Sequence, residues 1–191
     1  NHFTRLQLEA GDSFVSVENP KTVNQKVLRS HLISGIMESF EKNRKKAVPQ
    51  RIFEIGTVTQ LDDETEIGIK EFRKLSFGII GPEAGYADGR AVLDSVLREL
   101  GKQGIYESGH HPTFLDGRFA IVKVDEIMDG YLGEVHPQVL NNFFLDYPIG
   151  FCEFSLARVY YKRSPKYKYK KKGRKINRPF EFNCGRKIFR P

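Results

Sequence analysis

The chain reads as an α+β domain built on a largely antiparallel sheet, followed by an extended basic C-terminal tail. Two features predict the sheet: several short β-rich runs follow one another directly, and two stretches of helical periodicity interrupt them without any internal repeat. A length of 191 residues with 39% apolar content suits one core rather than two. The third feature is charge. Residues 1–157 carry 17 Lys+Arg against 23 Asp+Glu, whereas residues 158–191 carry 14 against one, so balances of −6 and +13 make up the net +7.

The first element is a helix over Lys26–Lys42, where Val27, Leu28, Leu32, Ile33, Ile36, Met37 and Phe40 recur at helical spacing. Lys42, Arg44, Lys45 and Lys46 cluster where a helix C-terminus favours cations, and Pro49 stops the element. Arg51–Thr59 is rich in Ile, Phe and Val and predicts a strand, with a bulge at Gly56. Asp62, Asp63, Glu64 and Glu66 mark an exposed turn, without the glycine and ligand spacing of a calcium loop. Leu75–Ile80 predicts a more buried strand, closed by Gly81 and Pro82. Asp88 is placed as the N-cap of a second helix, whose Val92, Leu93, Val96, Leu97 and Leu100 form one stripe and which ends at Gly101. Three further strands follow at Phe119–Val124, Gly130–Val135 and Ile149–Leu156, with a brief helix opening at His136–Pro137 between the last two.

Catalytic patterns are missing from this sequence. It contains no GxxxxGK[ST], GxSxG, HExxH or complete GxGxxG motif. Gly81, Gly85, Gly89 and Arg90 imitate a phosphate loop, but their spacing and the accompanying Pro82 and Glu83 favour an ordinary turn. His110 and His111 point to opposite faces of an extended segment, so with His136 they read as turn and core histidines. Cys152 and Cys184 form no CxxC pair and imply neither a disulfide framework nor a zinc site. No metal or cofactor is expected. The apolar runs are far shorter than the ~20 residues that cross a bilayer, and no signal-peptide layout opens the chain, so a cytoplasmic location away from membranes is expected. Asn1 stands where an initiator Met would, and predicts residues upstream.

The tail carries the strongest functional signal. Lys162, Arg163, Lys166, Lys168, Lys170, Lys171, Lys172, Arg174, Lys175 and Arg178 place ten cations in 17 residues. Tyr160, Tyr161, Tyr167 and Tyr169 are interleaved with them, and Arg158, Arg186, Lys187 and Arg190 extend the set. Cations neutralise phosphates and tyrosine rings offer faces to unstacked bases, which fits irregular or single-stranded RNA. With no periodicity and few apolar residues, the segment is expected to order only against a partner.

Several stretches then resemble, in order, the β subunit of archaeal and eukaryotic-type phenylalanyl-tRNA synthetase. They are VENPKTVNQKVLRSHLISGIMES from Val17, VPQRIFEIGTV from Val48, DGRAVLDSVLRELG from Asp88, HPTFLDGR from His111, and GYLGEVHPQVLNNFFLDYPIGFCEFSL from Gly130. The resemblance implies a class II aminoacyl-tRNA synthetase-like module, an antiparallel sheet flanked by helices, that has lost catalysis. In that family the α subunit binds ATP and phenylalanine while this module supplies an interface, and Lys26–Lys42 looks like the motif 1 helix. Neither FRKL at Phe72–Leu75 nor Gly81–Arg90 provides the arginines a working class II site needs, so no adenylation is expected. Two features depart from the family: HLISGIM stands where SLLPGLL is usual, and the chain continues past Leu156 into the tail. They favour a non-catalytic, ribosome-associated scaffold fixed to rRNA by its tail. The alternative is an authentic β-subunit fragment that works with tRNA and a catalytic α subunit, and a third reading is an amino-acid-binding regulator on a dead synthetase fold.

Overall fold

The computed structural model describes residues 2–8, 15, 27–61, 68–124 and 127–156. The acidic turn at 62–67 and the whole tail from Ala157 onward, with every cation and tyrosine assigned to RNA, lie outside the described residues. Among the described residues no helix is long and apolar enough to cross a membrane.

One six-stranded sheet organises the domain. In chain order its strands are β1 (Gln50–Leu61), β2 (Ile69–Ile80), β3 (Gly104–Ser108), β4 (Phe114–Val124), β5 (Ile127–Val135) and β6 (Ile149–Ser155). They lie in the order β1-β2-β6-β5-β4-β3, and every neighbouring pair is antiparallel. The α+β expectation therefore holds at the level of class and sheet direction. β3 was not predicted, because GIYES is short and its residues alternate between half-buried and exposed.

Among the described residues four helices accompany the sheet: α1 (His2–Arg5), α2 (Ile33–Lys42), α3 (Tyr86–Glu99) and α4 (Pro137–Asn142). α2 covers one face, where Ile33, Ile36, Met37 and Phe40 join Ile80, Phe114, Ile149 and Phe151 in a buried cluster. Its approach depends on Gly78, since a Cβ there would lie 2.8 Å from the Phe40 ring and 2.9 Å from Ile36. α3 covers the other face, burying Leu93 and Leu97 against Phe77, Val122, Leu132, Cys152 and Phe154.

Three local expectations are corrected. The first helix begins at Ile33, not Lys26. Leu28 N–H donates to the Val15 carbonyl and Thr59 N–H to the Arg29 carbonyl, so Val27–Arg29 runs as extended chain along β1. The predicted bulge at Gly56 is absent, and β1 pairs with β2 in unbroken register through Gly56↔Lys74. Gly56 instead leaves room for the Arg29 guanidinium, which a Cβ would strike. α3 starts two residues before Asp88, with Gly85 as its N-cap. Its predicted end is observed: Gly101 has φ +66, its N–H donates to Arg98 O at 2.9 Å, and Lys102 N–H donates to Leu97 O at 2.8 Å. That is the left-handed C′ residue of a Schellman motif, a conformation glycine adopts without steric cost.

Candidate functional site

The centre of the α2-facing sheet surface holds a buried polar network. Glu153 of β6 is fully buried, and both of its carboxylate oxygens are engaged. Lys74 of β2 donates its Nζ to Oε1 at 2.8 Å, and the Leu32 amide at the α2 N-terminus donates to Oε2 at 2.7 Å. Tyr131 of β5 stands directly opposite Glu153 in the strand pairing and beside this carboxylate. A negative group here suits the positive end of the α2 dipole as well as the ammonium.

An aromatic tier adjoins the network. The His111 ring stacks on Phe119 at 5.6 Å and on Tyr131 at 5.9 Å, and Phe114 packs 5.3 Å from Phe119 and 6.1 Å from Phe151. Burial first, then the Glu153 charge, pushes the Tyr131 hydroxyl well above its ordinary range, and Cys152 on the opposite face is raised for the same reasons. Burial lowers His31, against the pull of Glu153 and with the push of Lys74, and burial likewise lowers His111. The network therefore presents a spent carboxylate, a tyrosine held protonated and two imidazoles biased to the neutral form.

The histidine shifts have a measurable consequence. A folded state that keeps His31 and His111 below their ordinary 6.5 binds fewer protons than the unfolded chain, so its stability is full above that value. Melting temperature is expected to fall as pH drops from about 7 toward 5, and the His31→Phe, His111→Phe double variant should flatten that slope. An equal slope in the variant would remove both histidines from the account.

The glycine-rich Gly81–Arg90 segment holds no free phosphate cradle. Glu134 of β5 already occupies the anion position at the α3 N-terminus, accepting from Tyr86 N–H at 3.4 Å. Arg118 Nη1 holds both oxygens of the same carboxylate, at 2.8 and 2.7 Å. Gly85 and Gly89 serve packing: a Cβ would meet Glu134 Oε2 at 2.8 Å in one case and Leu132 at 2.7 Å in the other. The three histidines singled out in the sequence separate. His110 pairs with Asp116 at 2.6 Å on the surface, His111 sits in the aromatic tier, and His136 caps α4 by accepting from Gln138 N–H. Among the described residues no group of three or more His, Cys, Asp or Glu is placed to hold a metal.

Sequence reasoning missed the Lys74–Glu153 pair. One signal was present: Glu153 interrupts the strand sequence IGFCEFS, where a carboxylate must be paired if the strand is central. The other unpredicted feature is apolar exposure on edge strand β1, where Phe53 is 72% and Ile55 47% exposed. These residues stand opposite Phe77 and Leu75 of β2, on the α3 side of the sheet.

Comparison with known proteins places this arrangement. Residues 1–156 match the model of the phenylalanyl tRNA synthetase beta chain CLM domain. The phenylalanine–tRNA ligase β subunit of Methanopyrus kandleri is 34% identical over 160 residues, which are 83% of this chain and 27% of that protein. The corresponding subunit of Aeropyrum pernix is 38% identical over 154 residues, 80% and 28% of the two chains, and that of Thermofilum pendens 36% over 145 residues, 76% and 26%. The chain thus spans a little over a quarter of the length of these relatives. They are ligase subunits and lend no support to a ribosomal location. With a match that runs through every described element, from α1 to the end of β6, the chain belongs to the phenylalanyl-tRNA synthetase β-chain family.

Proposed function

We propose that the chain is the non-catalytic, class II synthetase-type module of a phenylalanine–tRNA ligase β subunit, acting as a structural partner of a catalytic α subunit. Residues 1–157 form the module in this reading, and residues 158–191 are a basic extension that holds tRNA. The observation that carries the non-catalytic role is the Lys74–Glu153 pair. A sheet-centre carboxylate whose two oxygens are already bonded within the protein is not free to orient ATP or an amino acid, which supports that reading. Family membership supports the partnership, since the relatives are named as β subunits.

The test is co-expression with a phenylalanine–tRNA ligase α subunit. A stoichiometric complex is expected, with phenylalanine-dependent ATP–pyrophosphate exchange in the complex and none in the chain alone. Exchange by the isolated chain, or sedimentation with a ribosomal subunit in place of α-subunit binding, would overturn the proposal.

A further inference from the structure

We propose that the folded domain carries an RNA-contacting patch of its own, built from the turn after α2 and the turn after α4, which takes an unpaired base on Phe144 and the flanking phosphates on Arg44, Lys45 and Lys46. The two turns adjoin: the Arg44 guanidinium lies 5.9 Å from the Phe144 ring centroid, and Gly81 bridges them by donating to Pro148 O while packing against Pro49.

Three observations carry the inference. Phe144 is 63% exposed, and Tyr147 beside it is also exposed. Phe144 further occupies a backbone conformation that disfavours it. Its φ is +55, and it stands at the C′ position of α4, donating to Asn141 O at 3.0 Å while Leu145 N–H donates to Leu140 O at 3.0 Å. Glycine belongs there, and a bulky residue in the left-handed region is strained. An aromatic ring kept in solvent at a strained position gains nothing for the fold, so its use lies outside the fold.

The third observation is charge. α2 ends at Lys42 with Asn43 as its C-cap, so Arg44, Lys45 and Lys46 lie beyond the helix and are more than its dipole requires. All three are exposed, on a domain whose overall balance is negative, and the only carboxylate in the facing turn is Asp146. Cations beside an accessible ring form the stacking platform and phosphate clamp that single-stranded RNA recognises.

The full chain should be tested with a fluorescent oligouridylate of about twelve nucleotides containing one 4-thiouridine, a measurement that needs no α subunit and so stands apart from the synthetase assignment. Photo-crosslinks are expected at the peptide containing Phe144 and Tyr147. Phe144→Gly should raise the melting temperature while weakening binding about 10-fold, and Phe144→Asn, which also tolerates the left-handed region, should weaken it similarly. Replacing Arg44, Lys45 and Lys46 together by Glu should lower the slope of log affinity against log salt by about 2. Unchanged affinity in both Phe144 variants, with crosslinks confined to residues 158–191, would overturn the patch. So would variants that bind the oligonucleotide normally but lose a protein partner.

Discussion

Replacing Glu153 with Ala is expected to lower the unfolding free energy by about 3–5 kcal/mol, measured by urea denaturation at pH 7. Two losses combine. Lys74, whose side chain is only 15% exposed, is left without its carboxylate, and the buried Leu32 amide is left without an acceptor. Because a domain of this size is stable by only about 5–15 kcal/mol, this single change should leave the protein close to its unfolding threshold. The companion variant decides whether the pair is there for stability. If Lys74→Met is combined with Glu153→Leu, the unpaired ammonium is removed while the Leu32 amide still lacks its acceptor, so part of the loss should be regained. A cost below about 1 kcal/mol for Glu153→Ala would mean that Lys74 reaches water freely and that the network does not fix the α2 N-terminus.

How far the sequence foretold the molecule depends on where each element's information resides. α3 was legible because its stripe, Leu93 and Leu97 above all, and its Gly101 stop are local signals. α2 was over-extended because Val27 and Leu28 fall in phase with Ile33–Phe40, and only the pairing of Arg29 with Thr57 and Thr59 of β1 reveals them as extended chain. Gly56 reads as a bulge until Arg29 is seen lying across it. The same holds at the site. An isolated Glu in an apolar strand gives no hint of which lysine, 79 residues away, will meet it. Family resemblance supplied the expectation of a lost active site, whereas only the three-dimensional structure brings Lys74 to Glu153.

The proposed partnership with a catalytic α subunit should concentrate on the outer half of β1. Phe53→Asp combined with Ile55→Asp is expected to abolish co-purification with a catalytic α subunit while changing the stability of the isolated chain by less than about 0.5 kcal/mol. The asymmetry follows from geometry. The apolar face of α2 is consumed by its own core, with Ile33, Ile36, Met37 and Phe40 all buried, so that helix has no apolar surface left for a second chain. β1 differs. It is an edge strand of 12 residues, and α3 packs chiefly on β6, β5 and β2. Among the described residues, Arg29 lies along its far half, engaging Thr57 and Thr59 and pairing with Glu54. Gln50–Ile55 therefore combines an edge position with two exposed apolar side chains, Phe53 and Ile55, interleaved with the charges of Arg51 and Glu54. A carboxylate at each position opposes burial against any partner, whereas in the free chain position 53 is largely in solvent and position 55 about half so. Retention of a full-strength complex by the double variant, checked by size-exclusion chromatography, would move the subunit contact to another surface.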